Sequence, residues 1–501
     1  MKNKTFNSNN VIIITRFFEN VRIHMNKVRF PVLLDYLIKN HTYNNKKLAQ
    51  ETGIDRTVIQ KYISGARLPS SYDNIELIAD KLTLPEEERN MLYDAYKIEK
   101  VGYEKYEQLK LIKKIIENIS YPKKIDDYDF DISYQFNNIN HFATTHQSLL
   151  ILVRYVIDQA KNGNDNNIYA YLPDNTDIID LISDNLNSSS PLYLNLLTNI
   201  ITVEKAQIDN IKKFENLLPL IFLDNTQIRY QYENLSLIQE TNFSYPYCIS
   251  SPSCSLLINS DLSSGILIEN EGNNYILKQF KETYDKSMLF CQNINSATEI
   301  IKYYNSESKN INYVRSFSYE PCIVPCLDID LIHKRYQGPK EYGKQIIDFL
   351  IQYKNQELQH IKNGSKFSFY FTKSGLQSFY DTGRVSEIPN QFYHPFSKND
   401  VILLLSRTLN LARNYDSYRF YLINEAKFNI PNKFSLVLND ETEALITLGG
   451  DNNDTSVNIA ILEPILRREF CSLIELIDLE DSYYDFEYSF NYIQKFIDSH
   501  K

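Results

Sequence analysis

The feature that most constrains the fold is a pair of short helical segments, each bracketed by a start signal and a glycine. Asn44 and Asp55 stand where a helix N-cap is expected, and Gly53 and Gly65 stand where a helix must end in the left-handed conformation. Between these signals apolar residues recur at intervals of three and four, which predicts that one face of each helix is buried. Residues 44–65 are therefore predicted to fold as two helices joined by a tight turn.

The flanking sequence extends the helical pattern in both directions. An upstream helix is predicted by the apolar stripe Phe30, Leu33, Leu34, Leu37 and Ile38. A fourth helix is predicted by Ile75, Ile78, Ala79 and Leu82, and Pro85 begins a fifth that continues to Tyr96. Two short helices with a glycine in the turn between them form a helix-turn-helix pattern.

The segment from Asn44 to Pro69 resembles the helix-turn-helix of the lambda-repressor/Cro-like (XRE-type) transcriptional regulators. The matching positions are Leu48-Ala49, Gly53-Ile54, Ile59, Tyr62 and Gly65-x-Arg67-x-Pro69. The departures are Lys46 and Lys47 at positions that are often acidic, Ile63 in place of a common Glu, and Asn45 in place of a Gln that commonly anchors a phosphate. The resemblance implies an all-α, five-helix lambda-repressor-like DNA-binding domain over residues 25–101.

The distribution of charge fits this expectation. The whole chain carries 53 Lys and Arg against 63 Asp and Glu, a formal charge of -10 that repels phosphate. Between Lys39 and Arg67, however, six basic residues outnumber two acidic ones. A basic module is therefore predicted inside an acidic chain.

The side chains of this module can be sorted by their expected contacts with double-stranded DNA. Base contacts are predicted for Arg56, Thr57, Gln60 and Lys61, and phosphate contacts for Asn45, Lys47, Ser64 and Arg67. The alternative is a face that is only solvated or that contacts a protein. One helix-turn-helix contacts too few base pairs to specify a single site in a genome. We therefore expect a homodimer on an inverted-repeat operator with half-sites ~34 Å apart or a multiple of it.

The sequence after residue 101 predicts a different architecture. Residues 102–135 are predicted to form a connector helix and an acidic linker. Beyond them helical and strand patterns alternate, which favours a large α/β region. Its predicted strands include 434–438, 444–448 and 457–460.

A faint internal similarity suggests that this α/β region consists of two duplicated halves, 136–300 and 301–501. In it, the predicted strands at 256–258 and 266–268 correspond to those at 436–438 and 445–446. A ligand cleft is expected between the halves. The region is expected to sense a small-molecule or peptide effector, or to mediate oligomerisation.

No catalytic, cofactor or metal motif is found in the sequence. There is no G-x-G-x-x-G, Walker lysine, H-E-x-x-H or G-x-S-x-G. Cys322 and Cys326 are close in sequence, but no second pair completes a zinc site, so structural roles are expected. We expect a protein that is not an enzyme and that holds no cofactor or metal.

The chain is also expected to be cytoplasmic and without a membrane span. No stretch approaches the ~20 apolar residues that a membrane helix needs. The apolar run at 11–14 is too short for a signal peptide. Residues 1–24 are expected to be disordered, or to be a mis-assigned extension before Met25.

These observations predict a sequence-specific DNA-binding transcriptional regulator with a C-terminal sensing or oligomerisation region. One alternative is a peptide-sensing regulator with a helical-repeat C-terminal region. Another is a catalytically dead, phosphodiesterase-like body on a DNA-targeting head, because the element order vaguely resembles the phospholipase-D-like fold. The catalytic pattern of that fold is missing, since the only His-x-Lys is His360-Ile361-Lys362 and Phe367 stands where the later Asp belongs.

Overall fold

The structure is a computed structural model of the 501-residue chain. The residues it describes are 29–120, 141–163, 165–172, 176–186, 191–203, 207–233, 245–307, 311–338, 343–385, 388, 390–440, 442–449 and 456–500. The predicted N-terminal extension and the predicted acidic linker at 126–131 lie outside these residues. The chain divides into two compact units: residues up to 110 together with 475–481, and residues 111–474 together with 482–501.

The first unit is built from helices whose ends follow the predicted signals. They are α1 (Phe30–Asn40), α2 (Asn45–Thr52), α3 (Arg56–Ser64), α4 (Tyr72–Lys81), α5 (Glu86–Val101) and the beginning of α6 (Tyr103–Asn118). Their apolar faces share one core, in which Phe30, Leu48, Ile59 and Tyr62 are buried. The predicted apolar stripes are thus the faces that pack together.

The expected fold class is wrong in how it divides the chain. The protein is an α/β fold with two mixed sheets of eight and seven strands, and its N-terminal helices are not an all-α domain closed on itself. Residues 475–481 belong to the same unit: Leu479 packs on the helical core, and Glu480 Oε1 lies 2.6 Å from Lys97 Nζ. Lys97 is only 7% exposed, so its ammonium group needs that partner. Local spacing could not predict a contact between residues 383 positions apart.

The second unit contains both sheets. The strands of the first sheet are β1 (Phe142–Ala143), β2 (Asn167–Tyr171), β3 (Tyr193–Ile201), β4 (Thr226–Glu233), β5 (Tyr247–Ser250), β6 (Cys254–Ile258), β7 (Gly265–Glu269) and β8 (Met288–Leu289). Their order is β1-β7-β6-β5-β2-β3-β4-β8. The helices of this region are α7 (His146–Lys161), α8 (Thr176–Asn185), α9 (Gln207–Ile221) and α10 (Asn270–Lys286).

The second sheet follows along the chain. Its strands are β9 (Cys291–Asn293), β10 (Tyr313–Ser318), β11 (Lys366–Phe371), β12 (Tyr418–Leu422), β13 (Phe434–Asn439), β14 (Glu443–Gly449) and β15 (Ser456–Ile461), in the order β12-β11-β10-β13-β14-β15-β9. The helices are α11 (Ala297–Glu307), α12 (Ile329–Arg335), α13 (Gly343–Lys362), α14 (Lys373–Thr382), α15 (Lys398–Asn414), α16 (Pro464–Cys471) and α18 (Phe486–His500). Between the last two lies α17 (Leu473–Leu479), whose residues 475–479 belong to the first unit.

The two sheets share one strand order. In each, three strands run parallel in chain order, β2-β3-β4 and β10-β11-β12. The first of them pairs antiparallel with a three-stranded meander, β5-β6-β7 or β13-β14-β15. The expected correspondence of β6 and β7 with β13 and β14 is therefore shifted by one strand, since their places are held by β14 and β15. The helical-repeat alternative is wrong, because sheets form the body of this unit.

No helix among the described residues combines the length and apolar character needed to cross a lipid bilayer.

Candidate nucleic-acid interface

The turn between α2 and α3 is fixed by capping contacts and by one glycine. Asn44 Oδ1 accepts a hydrogen bond from the Lys47 amide at 2.9 Å, and Asp55 Oδ1 accepts one from the Thr57 amide at 2.7 Å. Gly53 has a φ of +72°, a conformation that side chains with a Cβ rarely adopt. The two helices are therefore joined as the cap and glycine signals predicted.

The outer face of α3 presents the side chains expected to contact bases. Ile59 and Tyr62 are buried in the core at 0% and 2% exposure, which turns the opposite side of the helix to solvent. The exposed residues on that side are Arg56, Thr57, Gln60, Lys61 and Ser64. We call Arg56, Thr57, Gln60 and Lys61 the base-reading face. It offers donors suited to guanine, an amide suited to adenine, and a methyl group suited to thymine.

A hydrogen bond joins the two helices at this face. Asn45 Nδ2 donates to Gln60 Oε1 at 2.7 Å. The bond fixes the orientation of the Gln60 amide, and it leaves the second lone pair of Oε1 and both Nε2 protons for other partners. A predicted phosphate contact and a predicted base contact are thus coupled in the protein itself.

The other residues expected to contact phosphate lie around this pair. Lys47 Nζ is 4.0 Å from the centroid of the Tyr43 ring and 4.0 Å from Glu51 Oε1. Ser64 Oγ donates to the Lys61 carbonyl at 3.2 Å, and Arg67 is exposed beyond the end of α3. All eight predicted site residues therefore lie on or next to α2 and α3, and only Asn45 is half-buried.

The contacts of Lys47 with Tyr43 and Glu51 were not predicted from the sequence. Tyr43 donates a hydrogen bond to Glu51 Oε2 at 2.9 Å. That hydrogen bond raises the pKa of the Tyr43 hydroxyl, so the hydroxyl keeps its proton and the contact persists at neutral pH. Lys47 and Glu51 are four residues apart on α2, a spacing that could have indicated their contact. Tyr43 precedes the N-cap of α2, so helical spacing does not predict its contacts.

One carboxylate lies beside the base-reading face. Hydrogen bonds from Thr57 and the Val58 amide, and the nearby charge of Lys61, hold the pKa of Asp55 below its usual range. Asp55 is therefore ionised at neutral pH, and its charge suits the positive end of α3. The same charge opposes an approaching phosphate.

The other two motifs considered in the sequence, the cysteine pair and His360-Ile361-Lys362, lie in the second unit. Cys322 and Cys326 are buried in the core beside the second sheet, where burial raises the pKa of Cys326 to about 11. His360 and Lys362 lie at the end of α13. Among the described residues, no group of three or more His, Cys, Asp or Glu side chains is placed to hold a metal ion.

Comparison with known proteins does not identify a family for this chain. No protein-family model and no curated protein matches it. Among solved structures, polyphosphate kinase from Porphyromonas gingivalis is similar over 66% of this chain and 48% of its own, with 11% sequence identity and a TM-score of 0.20. The match spans about half of the kinase's length. That the chain is not an enzyme stays a prediction.

Proposed function

We propose that this protein is a sequence-specific DNA-binding transcriptional regulator of the XRE type, which reads double-stranded DNA with α3. The observation that carries the proposal is the base-reading face itself. Four side chains able to read base edges stand exposed on one side of a short helix, and Asn45 orients the amide of one of them, Gln60. A surface that is merely solvated does not require an oriented amide.

The charge around α3 supports the same proposal. The segment from Lys39 to Arg67 is positive within a chain of net charge -10. Such a division attracts phosphate to one small surface while the rest of the chain repels it. In this proposal Arg56, Thr57, Gln60 and Lys61 contact bases, and Asn45, Lys47, Ser64 and Arg67 contact the backbone.

The protein acts in this proposal as a homodimer on an inverted repeat. One α3 helix contacts only a few base pairs, which does not distinguish one site in a genome. Two copies related by a twofold axis double the site and require half-sites ~34 Å apart or a multiple of it. The second unit then senses an effector or mediates association of the copies.

Selection from random double-stranded DNA with the full chain tests this proposal. We expect an enriched motif with inverted symmetry, protected from cleavage in footprinting and bound by two chains in a mass measurement. The matched control is Lys278→Ala, which removes a basic side chain, 72% exposed, from α10 in the other unit. It should enrich the same motif.

Three outcomes would contradict the proposal. Absence of any enriched motif would favour a protein contact for α2 and α3 instead of DNA. Enrichment of an unchanged motif by Gln60→Ala would remove Gln60 from base recognition. One chain per bound site would contradict the dimer.

A further inference from the structure

The second sheet has a cavity on one of its faces, under helices α11 and α13. Its volume is ≈ 120 Å³. Most of its wall is apolar, including Ile300 and Tyr303 of α11, Phe349 and Leu350 of α13, and Phe369 of β11. A cavity of similar size in another protein, about 150 Å³, accepts benzene. The space therefore suits a compact molecule with a body of about one ring.

One part of the wall is polar, and the sheet register explains how it forms. Ser435 of β13 pairs across the sheet with Thr447 of β14, which pairs with Asn458 of β15. The three side chains therefore form one row across three strands on the same face. All three are buried, at 1%, 6% and 7% exposure, and all three line the cavity. We call Ser435, Thr447 and Asn458 the polar row.

The hydrogen bonds of the polar row are incomplete. Thr447 Oγ1 donates to Asn458 Oδ1 at 3.0 Å. Ser435 Oγ and Asn458 Nδ2 are buried and have no hydrogen-bond partner among the described residues. Ser318, the cross-strand neighbour of Ser435 on β10, has its hydroxyl satisfied by the Glu320 carbonyl at 2.7 Å. Buried polar groups in proteins are nearly always paired, so two such groups in one cavity wall indicate a partner from outside the chain.

The charges around the cavity restrict that partner. Glu357 is the one charged residue among the described residues that line it, and none of them is Lys, Arg or His. A carboxylate or phosphate would therefore lie buried beside a negative charge and without a counter-charge. Asn458 Nδ2 can only donate, and Ser435 Oγ can donate as well. The polar row therefore requires a neutral hydrogen-bond acceptor.

We propose that this cavity is a binding site for a small uncharged molecule that has a compact apolar body and a carbonyl or amide group at one end. The apolar body lies between the sheet and helices α11 and α13, and the carbonyl oxygen accepts hydrogen bonds from Asn458 and Ser435. In the proposed function the second unit senses an effector, and this cavity would be the place where the effector binds. Ligand binding is measured without DNA. Failure to bind a ligand therefore does not contradict DNA binding by α3, and failure to bind DNA does not contradict ligand binding in the cavity.

A series of one-ring probes tests each part of this inference on the full chain. Benzamide has the ring and the neutral carbonyl, benzene lacks the polar end, benzoate carries a negative charge, and benzylamine carries a positive one. Binding is measured by saturation-transfer difference NMR at millimolar probe concentration. We expect benzamide to bind more tightly than the other three.

Variants assign that binding to the polar row. Asn458→Leu should weaken benzamide by about tenfold, as expected for one lost hydrogen bond, and leave benzene unchanged. The matched control Ser374→Ala, at an exposed serine of α14, should bind benzamide as the wild type does. Circular dichroism of each variant establishes that it is folded, and the wild-type probe series decides the question if Asn458→Leu does not fold.

The inference is overturned if no probe binds, or if benzene binds as tightly as benzamide. It is also overturned if benzoate or benzylamine binds best, or if a folded Asn458→Leu protein retains wild-type affinity for benzamide.

Discussion

The base-reading face of α3 and the polar row of the second sheet both present polar side chains, but they differ in what satisfies them. Gln60 and Lys61 are exposed, so water satisfies them until a partner arrives. Ser435 and Asn458 are buried and have polar atoms without partners among the described residues. An exposed polar face is common and indicates its partner only by its chemistry. Two buried polar groups without a partner in the wall of one cavity are less common, and their position in that wall points to a ligand.

The first sheet shows what a buried polar cluster looks like when the protein satisfies it. Ser255 Oγ donates to Asn273 Oδ1 at 2.5 Å and lies 2.7 Å from Ser250 Oγ, a hydroxyl that can donate to it. Asn273 Nδ2 donates to the carbonyl groups of Ser251 and Pro252 at 3.3 and 3.0 Å. Asn273 is 1% exposed. Asn273 of α10 and Asn458 of β15 are therefore both buried, and of these two only Asn273 has its amide nitrogen bonded within the described protein.

The largest expected effect is on stability, and it distinguishes Asn273 from Asn458. Asn273→Leu should lower the free energy of unfolding by about 3 kcal/mol, because it leaves the Ser255 hydroxyl and two carbonyl groups without their partner. Asn458→Leu should cost less than about 1 kcal/mol, since it loses one hydrogen bond and removes an unsatisfied donor. Urea unfolding of the full chain, followed by circular dichroism, measures both. Equal losses would show that Asn458 is as well satisfied as Asn273.

The next effect concerns the exposed face. Gln60→Ala should weaken binding to the selected DNA by about 1–3 kcal/mol and relax preference at one base pair of each half-site. Fluorescence anisotropy with the selected site and with single-base variants measures both. An equal loss on selected and random DNA would assign Gln60 to the backbone and leave α3 without this base contact.

Asn45→Ala tests whether the hydrogen bond between the helices matters. We expect a smaller loss than for Gln60→Ala at the same base pair, because the Gln60 amide keeps its reach but loses its fixed orientation. The double variant should lose less than the sum of the two single losses. Strict additivity would mean that the 2.7 Å contact between Asn45 and Gln60 has no part in recognition.

Elements whose ends are determined by residues close together in the sequence were predicted correctly. The ends of α2 and α3 were predicted because Asn44, Gly53, Asp55 and Gly65 act within a few residues. Strands β13, β14 and β15 were likewise predicted to within one residue at each end.

What was missed depends on contacts between distant segments. The fold class was wrong because the protein is an α/β fold with two mixed sheets, and residues 475–481, from the far end of the sequence, belong to the same unit as the N-terminal helices. Strand β10 was not predicted, since its sequence Tyr-Val-Arg-Ser-Phe-Ser carries polar residues that become buried only between β11 and β13. The polar row was missed for the same reason, because Ser435, Thr447 and Asn458 become neighbours only through strand register.

Lys47→Ala should have a smaller effect of a different kind. A phosphate contact carries no sequence information, so binding to all DNA sequences should weaken alike. The slope of the logarithm of the binding constant against the logarithm of salt concentration should fall in magnitude by about 1. Titrations at several salt concentrations measure it, with Lys278→Ala as control. An unchanged slope would mean that Lys47 stays on Tyr43 and Glu51 in the complex.

The smallest expected effect is that of Asp55→Asn, which keeps an N-cap of similar quality but removes its charge. Because hydrogen bonds lower the folded-state pKa of Asp55, its stabilising contribution is present above the unfolded-state pKa and is lost as the pH falls through the folded-state pKa. Asn does not titrate, so the variant should lose this acid-dependent part of α3 stability, measured by amide exchange of α3 across the acidic range.

At neutral pH, removing this charge should also strengthen binding to every DNA sequence by about twofold, as expected for one screened surface charge. Weaker binding would show that the Asp55 carboxylate contributes more by holding the start of α3 than it costs by repelling phosphate. In that case the exposed base-reading face would depend on the hydrogen bonds that Asp55 accepts at the start of α3. It would then resemble the polar row, whose proposed function also depends on a hydrogen bond within the protein.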